Sequence, residues 1–593
     1  MKKRVADIIF DLLVENNITD CFGVVGGGAM HLDNALALND KINKYFNHHE
    51  QASAMAAESY ARLSGKMAVV CVTAGPGGTN TLTGVMGAYQ DSIPMIVISG
   101  QVRYETTMES CGLELRYRGL QEFDIINSVK NMTKYCVMIK DPLEIKREVL
   151  KAINIAMNGR RGPVWIDVPL DVQGAVIEED ELYPYNENLK EYPIVNNEQI
   201  NEVIENLNNS KRPCILLGSG LRSSDCYNEL YEFLEYVKIP LIGGAWVADS
   251  FYYDYPLYYG LSGNIGPRAG NYILQNADTI LVLGNSLGFR QTGFNQKGFA
   301  PNANIIMVDI DENEPKKPGL NINEFINLDL KEFLKIIINK KSQIICSEKW
   351  INYCNDLKNR FTRFEGSKNI DLKDRVCSYY FWEKFMELEA DDSIVVLGNN
   401  TANSAKLQIG VNKRNQRAIT NYTCGSMGYD LPATIGAAVA SNKQVYCITG
   451  DGSIMMNLQE LQTVKQYNLP IKIVIFSNDG YGAIRQTCKN FFNGKYIGCT
   501  KETGVSFPDL KLLANAFGYK YLLCETNDEV ETKIKEMNLH NEQVILEVKQ
   551  RFDDPVTPKV MSRIDENGKF ITPALEDMYP FLSEEEHKKL MLW

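Results

Sequence analysis

The glycine-flanked Asp451 and the later Asn478 constrain the fold more than any other feature of this sequence. Residues 444–449 and 471–476 are short apolar runs typical of buried strands, and apolar residues recur at helical spacing across residues 454–467. A strand, a helix and a strand in this order form a right-handed crossover, so the two strands are parallel and end at one edge of a sheet. Because each strand runs into one of the two polar residues, we expect Asp451 and Asn478 to lie close together.

The same segment carries the ligand types that Mg²⁺ prefers, a carboxylate from Asp451 and an amide oxygen from Asn478. Gly450 and Gly452 allow backbone N–H groups to approach a phosphate, and Ser453 begins the helix, whose amino end attracts anions. The sequence therefore predicts a site in which Mg²⁺ holds a diphosphate. An ordinary strand-to-helix turn is the alternative, and this short motif alone does not distinguish the two.

Composition argues against several classes of function. The net charge is −12, so a nucleic-acid surface has no electrostatic support. No apolar run is long enough to span a bilayer, and the amphipathic, acid-containing first segment is unlike a signal peptide. Fourteen cysteines lack the paired spacing of a zinc site, which favours buried thiols in a reducing cytosol. We therefore expect a cytoplasmic protein that binds neither nucleic acid nor membrane.

Strand-like and helix-like segments alternate in three blocks, which predicts an α/β protein with three doubly wound parallel-sheet domains. The predicted domains are an N-terminal domain, a central nucleotide-type domain and a C-terminal domain that holds the Mg²⁺ site, spanning 1–172, 198–345 and 374–550. A polar stretch at 178–197 reads as a linker. Residues 551–593 form a proline-containing tail that either wraps over the body or closes on a site.

Glu50 is the second candidate for chemistry. It lies where a predicted short strand, residues 44–46, passes into a predicted helix, residues 52–63. A carboxyl group at a helix amino end, surrounded by Ala and Met, is a candidate for desolvation and for proton transfer. A helix-capping glutamate is the alternative, and Glu50 alone does not decide between them.

Six stretches, spread over most of the chain, together resemble the thiamine diphosphate-dependent enzymes, and their order is similar to the acetolactate synthase branch. They are HHEQASAMAAESYARLSGK (48–66), VTAGPGGTNTLTGVMGAYQDSIPMIVISGQV (72–102), RGPVWIDVPLDV (161–172), QNADTILVLG (275–284), GSMGYDLPATIGAAVA (425–440) and GDGSIMMNLQELQTVKQYNLPIKIVIFSNDGYG (450–482). The first stretch contains Glu50 and the last contains the predicted Mg²⁺ site.

The resemblance implies a role for each residue near that site. Asp451, Asn478 and the backbone carbonyl of Gly480 would hold Mg²⁺ and, through it, the diphosphate of thiamine diphosphate. Met427 would support the bend of the cofactor, although core packing is the alternative for a methionine. The carbonyl of Gly425 would accept a hydrogen bond from the pyrimidine amine. Further phosphate contacts fall on Asn399, Asn400 and Thr401.

The resemblance also implies the chemistry. Glu50 would hydrogen-bond the pyrimidine ring and favour the tautomer that deprotonates the thiazolium carbon, which then attacks a 2-oxo acid such as pyruvate. Carbon dioxide leaves, and the acyl unit passes to a second carbonyl compound. Gly27, Gln121 and Leu120 match positions that line this pocket, with a simple glycine turn as the alternative for Gly27. In this family the glutamate reaches the cofactor of a neighbouring chain, so we expect a homo-oligomer, either dimer or tetramer, with active sites at the dimer interface.

The sequence departs from the family just after the predicted Mg²⁺ site. Ile484, Arg485 and Thr487 fall on the acceptor side, and Thr487 stands where biosynthetic acetolactate synthases have a tryptophan. A threonine leaves a larger and more polar space. We therefore expect the acceptor to be an aldehyde, a ketone or a keto-sugar carried on a nucleotide.

The central domain leaves the binding of FAD open. Gly218, Gly284 and Asp309 follow predicted strands, and such turns are where doubly wound sheets bind nucleotides. Biosynthetic acetolactate synthases carry FAD in this domain. Their arginine-rich turn is replaced here by residues 285–290, and their Met-His loop reads Asn264-Ile265.

Two other functions remain open on the sequence alone. One is a 2-oxo acid decarboxylase or lyase of the same family, in which the acyl unit is protonated and not transferred. His48 and His49 directly precede Glu50 and do not clearly match the histidine pair of such decarboxylases. The other is a catalytically silent nucleotide-binding subunit, against which the intact Glu50, Asp451 and Asn478 argue.

Overall fold

The computed structural model describes residues 1–186, 197–368, 370–564 and 569–593, and half of the predicted linker at 178–197 lies outside them. This part of the chain contains three six-stranded sheets in which all neighbouring strands are parallel. Helices flank each sheet, so the predicted class of three doubly wound α/β units is confirmed. No helix of the described ranges is long and apolar enough to cross a membrane.

The inner strands of the N-terminal sheet are buried on both faces, and its edge strands are partly exposed. In spatial order its strands are Asn43–Phe46, Asp20–Gly23, Val69–Val72, Met95–Gln101, Pro163–Pro169 and Tyr135–Met138. Its main helices are Val5–Glu15, Met30–Leu38, Glu50–Ser64, Leu82–Gln90 and Ile145–Met157. All residues of the three strands Val69–Val72, Met95–Gln101 and Pro163–Pro169 are buried, as expected for parallel strands covered by helices on both sides.

The strand order of the central sheet reverses in the middle, between the strands Pro213–Leu217 and Thr279–Leu283. In spatial order its strands are Tyr258–Leu261, Leu241–Gly243, Pro213–Leu217, Thr279–Leu283, Asn304–Asp309 and Glu324–Asn327. Its main helices, including the one that follows it, are Asn197–Asn209, Tyr227–Tyr236, Arg268–Asn276, Leu330–Asn339 and Glu348–Arg360. In sheets of this kind a ligand crevice opens at the point where the strand order reverses.

The C-terminal sheet repeats the strand connections of the N-terminal sheet. In spatial order its strands are Arg417–Ile419, Ile394–Leu397, Val445–Gly450, Ile471–Ser477, Val544–Lys549 and Lys520–Cys524. Its main helices are Ser378–Leu388, Thr401–Ile409, Asp430–Ser441, Glu460–Gln466, Gly482–Phe491, Leu510–Ala516 and Val530–Leu539. The strands before Asp451 and Asn478 are adjacent, so both residues lie at the same edge of the sheet.

The predicted helix at 454–467 is interrupted in the structure. Helix Asp451–Ile454 ends early, and a second helix begins at Glu460. Between them the buried Asn457 donates through Nδ2 to the carbonyl oxygen of Gly428, at 2.8 Å. A hydrogen bond to another segment thus takes the place of a further helical turn, which apolar spacing alone does not reveal.

The N-terminal and C-terminal domains meet through two helices, Glu50–Ser64 and Asp430–Ser441. The contact is so close that a Cβ atom at Gly436 would lie 1.9 Å from the carbonyl oxygen of Ala56. At the edge of the contact the Tyr429 hydroxyl donates to Glu58 at 2.5 Å. Glu50 therefore begins a helix that is fixed against the domain carrying Asp451.

The tail packs on the helix Arg268–Asn276, which we call the docking helix because all of its residues are buried. Its polar side chains donate to the tail. Arg268 donates to the carbonyl oxygen of Met578, Asn271 to that of Leu575, Gln275 to the carboxylate of Glu576, and Asn276 to the carbonyl oxygen of Leu590. Residues 575–590 of the tail thus cover the central domain and form part of its surface, whereas Phe552 near the start of the tail accepts a hydrogen bond from Arg485 of the C-terminal domain.

Candidate functional site

Asp451 follows the strand Val445–Gly450 and begins a short helix. Its carboxylate accepts hydrogen bonds from three backbone N–H groups, those of Gly452, Asn478 and Asp479, at 2.9 to 3.0 Å. The residue is 4% exposed. Burial raises its pKa to about 6, and the backbone hydrogen bonds oppose that shift. A bound cation would favour the ionised form further.

The segment Asn478–Gly480, which we call the metal loop, crosses in front of Asp451. The side chain of Asn478 donates to Gln550 Oε1 at 2.9 Å, and its oxygen accepts from Arg485 Nη2 at 3.2 Å. Gly480 has φ +152°, and a Cβ atom there would lie 2.0 Å from the carbonyl oxygen of Cys499. Only glycine fits at this position, which brings its backbone to the side of Asp451.

Three residues that follow the neighbouring strand Ile394–Leu397 lie at the same sheet edge. Nδ2 of Asn400 is buried and has no hydrogen-bond partner among the described residues. A Cβ atom on Gly450 would lie 3.6 Å from that nitrogen. Asn399 donates to the carbonyl oxygen of Gly425 at 2.5 Å, and Thr401 accepts from Gln550. An unpaired buried donor beside Gly450 fits an anionic group such as a phosphate.

Ser453 links the Asp451 turn to the segment that contains Gly425 and Met427. Its hydroxyl donates to Asp430 at 2.6 Å and accepts from the backbone N–H of Gly428 at 2.9 Å. Burial raises the pKa of Asp430, which lies entirely inside the protein. Met427 is half-buried, so it offers an apolar surface at the edge of the site.

Gly452 lies beneath the ring of Tyr481. A Cβ atom at Gly452 would approach a carbon of that ring to 2.3 Å, so a larger residue would displace the aromatic side chain. Tyr481 directly follows the metal loop and also donates its backbone N–H to the carbonyl oxygen of Cys499. The absence of a side chain at Gly452 therefore allows the metal loop to close over the Asp451 turn.

Glu50 and Gly27 belong to a separate group in the N-terminal domain. Glu50 is half-buried, and its carboxylate accepts from Asn80 Nδ2 at 2.9 Å. Gly27 is exposed, with open space where a side chain would be. The next residue, Gly28, donates to the Thr73 hydroxyl at 2.9 Å, which fixes the turn. No hydrogen bond among the described residues joins this group to Asp451.

Gln121 and Leu120 lie on an exposed loop of the N-terminal domain. Gln121 has φ +63°, and its carbonyl oxygen would be 2.5 Å from a Cβ atom at Gly75, so a larger residue would push the loop away. Leu120 is 89% exposed. Leu113, Tyr117 and Phe123 of the same segment are also large, exposed apolar residues, and several of these together are typical of a surface that contacts a ligand or another protein.

The residues predicted for the acceptor side occupy different environments. Ile484 and Thr487 are exposed on the helix Gly482–Phe491, which we call the acceptor helix. Arg485 is fully buried and points to the metal loop. The structure therefore places Arg485 next to the predicted metal ligands, whereas Ile484 and Thr487 face away from the core.

Sequence reasoning missed several residues that shape the site, including Asn80, Thr73, Asp430, Tyr481 and Gln550. Gln550 directly follows the strand Val544–Lys549. The rule that identified Asp451 and Asn478, a polar residue after a buried parallel strand, applies equally to Gln550. It also applies to Thr73, which directly follows the buried strand Val69–Val72. Asn80, Asp430 and Tyr481 had no comparable signal because their roles depend on contacts between distant segments.

No group of three or more His, Cys, Asp or Glu side chains capable of holding a metal ion occurs in the described ranges. The Asp451 site contains one carboxylate, with amide and carbonyl oxygens from the metal loop. Mg²⁺ is commonly held by one or two carboxylates together with substrate phosphates and water. The residues present therefore fit Mg²⁺ bound jointly with a diphosphate.

A separate cavity of about 440 Å³ opens at the switch point of the central sheet. Its walls include the turns at Gly218 and Gly284, the strand-end residue Asp309, and Arg161 from the N-terminal domain. Burial raises the pKa of Asp309 to about 6. Close turns with a carboxylate at the next strand end are features of nucleotide-binding crevices.

Three domain models match the chain in order. The N-terminal TPP binding domain of thiamine pyrophosphate enzymes matches residues 3–127, the central domain matches 200–336, and the C-terminal TPP binding domain matches 397–548. The last range contains Asp451 and the metal loop, and the first contains Glu50.

Curated relatives show the same similarity along most of the chain. The acetolactate synthase isozyme 2 large subunit of Escherichia coli is 31% identical over 534 residues, covering 90% of this chain and 93% of the relative. The acetolactate synthase large subunit of Corynebacterium glutamicum is 30% identical and covers 94% of this chain and 88% of the relative. A probable acetolactate synthase large subunit of Methanococcus aeolicus is 31% identical, with coverage of 90% and 89%.

Proposed function

Because the chain belongs to the thiamine pyrophosphate enzymes and is an acetolactate synthase-like transferase, we propose that it decarboxylates a 2-oxo acid and joins the acyl unit to a second carbonyl compound. Pyruvate is the proposed first substrate. The observation that carries the proposal is the buried Asp451 carboxylate beside the metal loop, with an unpaired Asn400 donor at the same sheet edge.

Asp451, Asn478 and the Gly480 carbonyl would hold Mg²⁺, and Asn400 would donate to the diphosphate. When bound, thiamine diphosphate supplies a nucleophilic carbon and accepts the electron pair that remains when carbon dioxide leaves. The protein contributes a buried setting in which the Asp451 carboxylate is already oriented by three backbone N–H groups. Such preorganisation means that little rearrangement is needed when the metal binds.

Glu50 would bind the pyrimidine ring and exchange a proton with it. Asn80 orients the Glu50 carboxylate through its 2.9 Å hydrogen bond, and the helix that begins at Glu50 is fixed against the C-terminal domain. We propose that Glu50 serves the site of a second copy of the chain. Within one chain, no hydrogen bond among the described residues joins Glu50 to the Asp451 site, and Asn80 is the partner of its carboxylate, which leaves Glu50 available to a second copy.

The acceptor is proposed to be an aldehyde, a ketone or a keto-sugar nucleotide. Thr487 and Ile484 are exposed on the acceptor helix and leave space above it. Leu120, on the N-terminal domain, would provide an apolar wall from the other copy. The small, polar side chain of Thr487 is the observation that favours an acceptor other than a second 2-oxo acid.

The test is a substrate panel with mass detection of products. The protein is supplied with Mg²⁺, thiamine diphosphate and pyruvate, alone or with aldehydes, ketones, 2-oxo acids or keto-sugar nucleotides. We expect a ligated product with an aldehyde, a ketone or a keto-sugar nucleotide. Acetaldehyde in every reaction would indicate the non-ligating decarboxylase instead, and rapid acetolactate formation from pyruvate alone would contradict the proposed acceptor. A protein without turnover or cofactor uptake would be the silent subunit.

For FAD, the cavity at the central switch point is where the nucleotide part would lie. The glycine turns at 218 and 284 would permit close approach of the nucleotide, and Asp309, which lines the same cavity, would bind a ribose hydroxyl. An absorption spectrum of the purified protein decides the point: bands of a flavin show that it is bound, and a colourless protein shows that it is not.

A further inference from the structure

Arg485 is the most deeply buried cation near the proposed metal site. Its side chain is 0% exposed, and it shares the acceptor helix with one other buried residue, Cys488. All three of its hydrogen bonds go to uncharged oxygens, and burial lowers its pKa while Asp451 opposes that shift. Burying a cation with no carboxylate hydrogen-bonded to it is costly, which calls for a compensating role.

The guanidinium connects three segments. Nη2 donates to the backbone oxygen of Asn478 at 3.0 Å and to its side-chain oxygen at 3.2 Å. The same nitrogen donates to the carbonyl oxygen of Phe552 at 2.6 Å, and the guanidinium lies 3.8 Å from the centroid of the Phe552 ring. The metal loop, the acceptor helix and the start of the tail therefore converge on one side chain.

The other two guanidinium nitrogens lack hydrogen-bond acceptors, which indicates that a binding partner of Arg485 is missing. Nε and Nη1 of Arg485 are buried and have no hydrogen-bond partner among the described residues. Nη1 would lie 2.6 Å from a Cβ atom at Gly480, so the donor is directly behind the metal loop. A diphosphate carries more negative charge than one Mg²⁺ neutralises, and a nearby cation would balance the remainder.

We propose that Arg485 is a positioning residue, which orients the Asn478 oxygen toward Mg²⁺ and balances the charge of the diphosphate site from behind the metal loop. The inference rests on the proposed function. It assigns to Arg485 a role in cofactor binding and not in contact with the acceptor. A second-layer partner of this kind is usually required for full metal affinity.

The test compares Arg485→Met, Arg485→Lys and a control, Lys489→Met. Lys489 lies on the same helix but pairs with Asp553 at the surface. The measurements are the apparent Mg²⁺ dissociation constant at saturating thiamine diphosphate, by calorimetry, and the melting temperature of the metal-free protein. We expect Arg485→Met to weaken Mg²⁺ binding about 10-fold or more. Arg485→Lys should fall between that variant and the parent, and the control should match the parent.

A folded Arg485→Met protein with Mg²⁺ affinity equal to that of the parent would overturn the proposal, even with a lower melting temperature, because that pattern describes a purely structural arginine. Where Arg485→Met does not fold, Arg485→Lys decides, since lysine keeps the charge but loses the planar fork. Unchanged affinity in Arg485→Lys then overturns the proposal. A parent protein that takes up neither Mg²⁺ nor thiamine diphosphate would instead refute the proposed function, and this inference with it.

Discussion

Asp451 shows how one buried carboxylate can make both stability and cofactor binding depend on pH. Its pKa is raised from an ordinary 3.8 to about 6 because burial disfavours the charged form. In the metal-free protein, protonated Asp451 contributes to the free energy of unfolding. This contribution is fully present at low pH and is lost as the pH rises through about 6. Mg²⁺ binding has the opposite dependence, because it requires the ionised carboxylate.

The pH dependence can be measured with Asp451→Asn, which cannot ionise. Between about pH 4 and pH 7, the metal-free parent should lose about 2 kcal/mol of unfolding free energy relative to this variant, because a pKa difference of about two units has a full effect of about 3 kcal/mol and part of it is already lost at pH 4. Urea titrations of both proteins at each pH provide the comparison. A difference between them that stays constant across the range would show that Asp451 is not the group responsible.

Glu50→Gln should keep the fold and the affinity for thiamine diphosphate but lose at least about 99% of turnover, because the amide cannot exchange the proton that a general acid–base group supplies. Steady-state rates and calorimetric binding measure the two effects separately. Glu58→Gln, in the same helix but paired with Arg62, is the matched control for a structural glutamate. Equal turnover in Glu50→Gln and the parent would contradict the assigned role.

At the scale of elements, the helix pair Glu50–Ser64 and Asp430–Ser441 sets the distance between two domains. Gly436→Ala would place a methyl group 1.9 Å from the Ala56 carbonyl oxygen, so the helices must separate. We expect a loss of about 1 to 3 kcal/mol in unfolding free energy, as in other overpacked cores. Chemical denaturation measures it.

Gly288→Ala is the control for the Gly436 substitution, because nothing lies within 4 Å of a Cβ atom at Gly288. Its φ of −68° also suits alanine. The two variants change the same number of atoms in opposite surroundings. Equal stability of both variants would mean that the close contact between the two helices relaxes without cost.

Elements with strong local patterns could be predicted from the sequence. The strands Val445–Gly450 and Ile471–Ser477 agree within one residue with the apolar runs predicted at 444–449 and 471–476, because buried parallel strands are continuous apolar runs between turn residues. The interrupted helix after Asp451 could not be predicted, because Asn457 bonds to Gly428 across the fold. Local spacing reports which residues share a face, but it does not report polar contacts between distant segments.

The candidate site also has parts that local sequence patterns predict and parts that depend on contacts between distant segments. Asp451 and Asn478 could be predicted to lie together because each ends a strand of one crossover unit. The sequence places Arg485 on the acceptor side together with Ile484 and Thr487, and its position in the helix does not distinguish it from those two residues. Its burial behind the metal loop depends on the position of Phe552 in the tail, which no local pattern contains.

For the whole molecule, the proposed sharing of active sites between two copies can be tested by mixing inactive variants. Glu50→Gln and Asp451→Ala should each be inactive, the second because it loses the cofactor. In a mixed dimer one of the two sites receives an intact Glu50 and an intact Asp451, so equal mixing should restore about a quarter of the parent activity. The rates are measured after the chains have exchanged by mild denaturation and refolding.

Each variant, treated in the same way alone, is the control for that experiment. The parent protein must regain its activity after the same treatment, which shows that refolding itself succeeds. If the active site were built within one chain, no mixture would regain activity, because every chain would carry one defective residue. That outcome would refute the proposed interface site.

The docking helix has a consequence for what the tail shields. Its buried Asn271, Gln275 and Asn276 side chains donate to residues 575, 576 and 590 of the tail. Detachment of the tail would break these three hydrogen bonds together and uncover the apolar side chains of Tyr272, Ile273 and Leu274, which are fully buried. A contiguous apolar surface uncovered in this way invites unwanted association, so the tail keeps the central domain from sticking to other proteins.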